Sequence, residues 1–205
     1  MIFKEYYLNL KLYIHKRRKL IIILSLVLTL LFSFYNRIIG ITQKSLWHES
    51  ISIYYFLLVL IKSIVIICLN NSTNRKKDLF IFKLIKFLLF ILNVLLIVPI
   101  ILMIINKRIV KISFILSIAV ALYVTIKTSK VIITYIKQRK ETNILLKELR
   151  VIDLMDVVVS ILTLQNTLIA VNSEAFDIKL YYLTVASSIL GLLINLILII
   201  SLKLK

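Results

Sequence analysis

Between residues 153 and 174 the chain reads DLMDVVVSILTLQNTLIAVNSE, and its polar and small positions recur in a regular order. Asp153, Asp156, Ser160, Thr163, Thr167, Ala170 and Glu174 are separated by alternating steps of three and four. At roughly 3.6 residues per turn those steps keep all of these side chains on one helical stripe. The remaining positions are mostly Val, Ile, Leu and Met, with Gln165 and Asn166 the exceptions before Asn172 and Ser173 close the stretch. A helix that is apolar round most of its girth, with one polar seam, belongs in a bilayer with that seam turned toward other helices.

Apolar runs of similar length recur along the chain. Spans are expected at 20–41, 51–69, 87–105, 112–128, 154–171 and 180–200, each near the ~20 residues that cross a bilayer. The fourth is the weakest, and nothing from Val131 to Ile136 breaks it, so its helix should run on past Lys127. Residues 1–19 are too charged to span. Phe3, Tyr6, Tyr7, Leu10 and Ile14 fall at helical spacing there, which predicts an amphipathic helix lying on the inner surface. No small-residue cleavage site follows the first apolar run, so it reads as a retained span and not a signal peptide. Residues 137–152 predict a turn near 141–143. A second surface helix would follow, with Leu145, Leu149 and Ile152 on its apolar face. The expected fold is all-α: a polytopic membrane helix bundle of about six spans (20–205) behind a basic segment (1–19).

Composition supports this picture. Apolar residues make up 61%, the mean hydropathy is +1.02, and there are two glycines and one proline, which leaves little room for anything but helices and short connections. The net charge of +18 would point to nucleic acid in a soluble protein. In a membrane protein it points to basic loops against an anionic inner leaflet. The expected partners are therefore the lipid bilayer and other membrane subunits, and not nucleic acid. On one side lie the amino-terminal segment with six Lys/Arg, 70–86 with five, 127–152 with seven and the carboxyl tail with two, 20 in all against six opposite. That bias predicts both termini in the cytoplasm of a plasma-membrane protein. Tyr35, Trp47, Tyr54, Tyr55, Tyr181 and Tyr182 would form an aromatic belt at the outer boundary.

Candidate chemistry is sparse. Lys62 is a cation inside the second run. It would either snorkel about 10 Å to the inner surface or pair with Asp156 at similar depth. Asp153 and Asp156 are the only acids near membrane depth, and ionisable groups there are costly and often functional. Ser160, Thr163 and Thr167 continue the seam, either as packing surface or as the lining of a path. The sixth run carries a matching stripe of Thr184, Ser188, Gly191 and Asn195. Short linkage makes these two runs antiparallel neighbours, which predicts Thr167 near Thr184, Ser160 near Gly191, and an interhelical hydrogen bond from Asn195. Asn93 and Pro99 predict a kink in the third run. His15 and His48 stand apart, His48 in an outer loop, and Cys68 is single. No catalytic, metal-binding or cofactor-binding residue is assigned.

At SLWHESISIYY (45–55) the chain resembles uncharacterised multi-pass, six-helix integral membrane proteins of Firmicutes. That family is expected to carry a Ser-Leu-Trp, a glycine and an Ile-Tyr-Tyr here, where this chain has His48 and Glu49 in place of an aromatic and the glycine. SILTLQNTLIAV (160–171) is similar to the same family's fifth span. The resemblance implies a helical membrane fold and brings no activity. Size and span count also resemble the substrate-binding subunits of energy-coupling-factor transporters, although discontinuous binding helices usually need more Gly and Pro. The favoured function is a non-enzymatic small-solute transport component or a membrane-complex subunit. The alternative is an intramembrane enzyme acting on lipid or peptide.

Overall fold

The structure is a computed structural model that describes residues 2–71, 75–106, 114–137, 143–172 and 178–202, with side chains described at 20–69, 79–102, 105, 114–137, 143–169, 171 and 182–202. The expected surface side chains of 1–19, the 172–179 connection, Ala170, Glu174 and Tyr181 lie outside the described side chains. Seven helical segments make up the described chain: α1 (Ile2–Thr42), α2 (Leu46–Asn71), α3 (Arg75–Leu95), α4 (Ile97–Asn106), α5 (Phe114–Lys137), α6 (Ile144–Asn172) and α7 (Ile178–Ser201). The protein is an all-α helical membrane bundle. Five helical runs are long and apolar enough to cross a membrane: Leu20–Thr42, Leu46–Leu69, Leu79–Leu102, Phe114–Lys137 and Tyr182–Ser201.

These bounds refine the expected spans. The third begins eight residues before 87, and α3 gives way to α4 around Leu96. Pro99 explains the break, because it has no N–H to offer the Leu95 carbonyl four residues back. The fourth run continues to Lys137, as its unbroken pattern implied. The expected span 154–171 lies in α6, which is not one of the five. With 29 residues α6 is the longest helix after α1, but Glu148, Asp153 and Asp156 interrupt its apolar girth. It survives by enclosure: of its described large apolar side chains only Ile161 and Leu168 are exposed. Helices α2, α3, α5 and α7 all pack on it.

The surface helix expected before the fifth span does not lie on a membrane. Leu145, Leu149 and Ile152 are buried in the protein core and belong to α6 itself. Asn143 caps that helix, its Oδ1 accepting the Leu145 N–H at 2.9 Å, and 141–142 of the predicted turn lie outside the described residues. The aromatic belt is also corrected. Trp47, Tyr54 and Tyr55 are buried, and Tyr182 is exposed. An aromatic at a span end can face either lipid or neighbouring helices, and here the α1–α2 hairpin turns these three inward. That hairpin is tight: a Cβ on Gly40 would lie 2.8 Å from the Glu49 backbone nitrogen, and Lys44 takes a left-handed φ of 50° at the turn. His48 is not in a loop. It sits in the first turn of α2, buried, with Nδ1 3.1 Å from Asn36 Oδ1.

Candidate functional site: a buried ion network beside a cleft

Because α1 and α6 run one way and α2 and α5 the other, the middle stretches of these four helices meet. That topology brings Ser25 and Thr29, Lys62, Lys127, and Asp153 to Ser160 to one level of the bundle. Asp156 is fully buried and is held on both oxygens. Its Oδ2 accepts hydrogen bonds from Lys62 Nζ at 2.7 Å and from the Thr29 hydroxyl at 2.7 Å. Its Oδ1 accepts a close one from Lys127 Nζ. Lys62 also reaches Asp153 Oδ1 at 2.8 Å and Thr29 Oγ1 at 3.2 Å, and Ser25 donates to Asp153 at 3.1 Å. Of the two readings of Lys62, pairing with Asp156 is the one adopted. Two ammonium groups face two carboxylates, so the cluster carries no formal net charge. This is the arrangement that makes buried ions tolerable.

Lys127 was not singled out by sequence. It ends an apolar run, where a lysine ordinarily marks the interface, yet its side chain is only 8% exposed. Aromatic rings account for part of its setting: Nζ lies 5.2–5.7 Å from the ring centroids of Tyr123, Tyr55 and Phe32, within cation–π range. Tyr55, assigned by sequence to an outer belt, places its hydroxyl 3.0 Å from Ser160 Oγ.

Ser160 and Lys127, 2.9 Å apart, have the separation of a serine–lysine nucleophile pair. Their bonding is different. Lys127 is held as an ammonium by Asp156 and donates to Ser160, while the Ser160 hydroxyl donates to the Asp156 backbone carbonyl at 2.6 Å. Further along the seam, Thr163 and Thr167 are buried and their hydroxyls bond back to the carbonyls of Val159 and Thr163.

The seam's partner is therefore corrected. Its first half faces α1, α2 and α5, because ion pairing outweighs the fit of small residues against α7. Helix α7 meets α6 beside the seam: a Cβ on Gly191 would lie 2.6 Å from Leu162 Cδ1, and not against Ser160. Asn195 is buried without the expected hydrogen bond among the described residues. Asn93 makes the polar contact with α7, donating to the Leu192 carbonyl at 3.5 Å.

Beside the network, α1 and α5 meet where Tyr123 stacks on Phe32 and donates to the Leu28 carbonyl. From there a cleft of about 910 Å³ opens between them, floored by α6 from Leu146 to Asp153 and running to Lys137. Asp153, with 24% of its side chain exposed, lines the cleft together with Ser25 and Lys127 of the same network. A second buried acid, Glu148, stands on α6 with neither carboxylate oxygen hydrogen-bonded among the described residues. It precedes the expected span, and burial pushes its carboxyl up to about 8. Among the described residues no group of three His, Cys, Asp or Glu is placed to hold a metal ion. No protein-family model, curated protein or solved structure matches the chain.

Proposed function

We propose that the protein is a non-enzymatic small-solute transport component of a bacterial plasma membrane, with both termini in the cytoplasm and the α1–α5 cleft as its binding site. The observation that carries this reading is the meeting of a cleft of about 910 Å³ with Asp153, the more exposed acid of an otherwise buried ion network. That volume lies within the roughly 300–1,000 Å³ of small-ligand sites, and an apolar wall with a few convergent charged groups is their usual chemistry. A ligand that displaces Lys62 from Asp153 would act directly on the contacts tying α1, α2, α5 and α6 together. The 20-to-6 distribution of Lys and Arg supports the orientation.

Two measurements test this. A cysteine at Ser129, on the cleft wall, with Cys68→Ser, should react with a membrane-impermeant maleimide and be protected by the pool of cell solutes that contains the ligand. The same pool should raise the melting temperature of the wild type and not of Asp153→Asn. For orientation, a cysteine at the exposed Gln43 should label from outside intact cells and one at Ser72 should not. The second reading, a membrane-complex subunit, is favoured by the dry packing of Thr163 and Thr167. Absence of protection by any pool, with stoichiometric membrane partners in a pull-down from native membranes, would put that reading first. The enzyme alternative needs an activated nucleophile, and the Ser160 hydroxyl donates instead to the Asp156 backbone carbonyl.

A further inference from the structure

We propose that the solute of the cleft is a small zwitterion, an apolar α-amino acid, its carboxylate on Lys130 and its ammonium on Asp153. This names the solute class of the site proposed above and rests on the cleft being a binding site. The first argument is position. Lys130 stands three residues after Lys127 on α5, and Asp153 three before Asp156 on α6. The two helices run in opposite directions, so both steps lead roughly 4.5 Å from the Lys127–Asp156 contact toward the same end of the bundle. Lys130 and Asp153 therefore stand level, and both line the cleft. The charge of Asp153 acts on Lys130, yet the Lys130 Nζ is buried with no hydrogen-bond partner among the described residues. A buried ammonium is costly until an acceptor meets it.

The second argument is the unused half of Asp153. Lys62 and Ser25 both meet its Oδ1, and Oδ2 receives no hydrogen bond among the described residues. A cation and an anion thus face one space, each with a bonding position open. A carboxylate with an ammonium on the adjoining carbon supplies both partners at once, through charge-assisted hydrogen bonds. Solutes of a single sign fit worse. A simple anion meets the repulsion of Asp153, and a simple amine leaves Lys130 unmet. Lys127 is committed to Asp156, and Arg150 has contacts of its own, the Tyr135 ring among them. The third argument is the rest of the wall. Ile21, Ile126 and Ile133 are exposed and line the same cleft, which suits an apolar side chain on the solute. The solute's ammonium competes with that of Lys62 for Asp153, like for like, so occupancy reaches the contact that holds α2 to α6.

The test uses the full chain in detergent and isothermal titration calorimetry. Each apolar L-amino acid is titrated singly, and the tightest binder is compared with two analogues that keep its apolar body. One analogue is the carboxylate lacking the amine, the other the amine lacking the carboxylate. Each should bind about tenfold more weakly, because each leaves one charged group of the cleft unmet. An analogue of either kind that matches the amino acid overturns the proposal, and neither comparison needs a variant to fold. Lys130→Gln should weaken the amino acid and the carboxylate about tenfold and leave the amine unchanged. Lys130→Arg should restore much of that loss. An equal loss for the amine would show a damaged cleft and overturn the assignment of Lys130. Binding of no apolar amino acid, with the Ser129 cysteine still protected by the pool of cell solutes, sinks the zwitterion and leaves the binding-site reading standing. Absence of both binding and protection sinks the two together.

Discussion

Two buried acids on one helix, Asp156 and Glu148, meet opposite circumstances. Both are fully enclosed, and about two turns of α6 separate them. Asp156 receives two ammonium groups and a threonine hydroxyl. Glu148 receives no hydrogen bond on either carboxylate oxygen among the described residues. Burial is common to both, so it cannot be what decides their state. The partner decides: opposite charges within hydrogen-bond range keep Asp156 ionised, whereas unopposed desolvation holds Glu148 protonated. One acid ties four helices together, and the other is a local cost that folding absorbs.

The sharpest way to break this comparison is to unpair Asp156. Lys62→Met and Asp156→Asn should each destabilise the folded protein in detergent by roughly 3–5 kcal/mol, the cost of stranding one member of a buried pair. Joining them should recover only part of the loss, because Lys127 is left facing an amide. Adding Lys127→Met should recover more. Strictly additive losses across this cycle, read from chemical unfolding, would show that the charges do not meet. An uncharged perturbation of the same helix calibrates that result. Gly191→Leu drives a side chain into Leu162, should cost roughly 1–3 kcal/mol, and should add simply to Asp156→Asn.

Glu148→Met should act in the other direction, raising stability by roughly 1–3 kcal/mol at pH 8 by removing an unpaired buried polar group. The pH dependence has a definite sign. In the unfolded chain this carboxyl loses its proton near the ordinary 4.5, whereas the folded protein keeps it to about 8. The unfolded state therefore binds fewer protons between those values, and this group's contribution falls as pH rises from 4.5 to 8. Thermal melts of wild type and Glu148→Met should diverge across that window, and parallel curves would remove the contrast with Asp156. The smallest effect is expected from Tyr55→Phe. It deletes one hydroxyl contact to Ser160 while keeping the ring beside Lys127, and should cost about 1 kcal/mol.

How much of this was legible depends on what each residue does to an apolar run. Lys62 and Asp156 interrupt such runs, so sequence exposed both and made their pairing one of two readings. Lys127 and Glu148 stand at the end of, or before, the expected apolar runs. Lys127 closes a run where a snorkelling cation is ordinary, and Glu148 sits in KELR, which reads as a surface helix. Tyr55 looked interfacial because aromatics at span ends usually are. The polar seam on α6 was visible as a stripe, but a stripe has no label for its partner. Only the placement of α2 and α5 shows that charge, and not small-residue fit, chose the neighbour. The break around Leu96 was foreshadowed by Pro99, since a missing N–H acts locally whatever surrounds it.

The spacing of the ion partners along the chain also bears on how the protein is made. Lys62 and Asp156 are 94 residues apart, which at about 5–20 residues per second is roughly 5–20 seconds of synthesis. For that interval α2 enters the bilayer with a lysine and no counter-ion, and Lys127 follows into the same predicament. Each must lean toward the head groups until α6 is delivered. The arrival of α6 is then the event that lets both lysines leave the water. Snorkelling and pairing thus describe the same side chain at two ages: the first belongs to the nascent membrane hairpin, the second to the finished bundle.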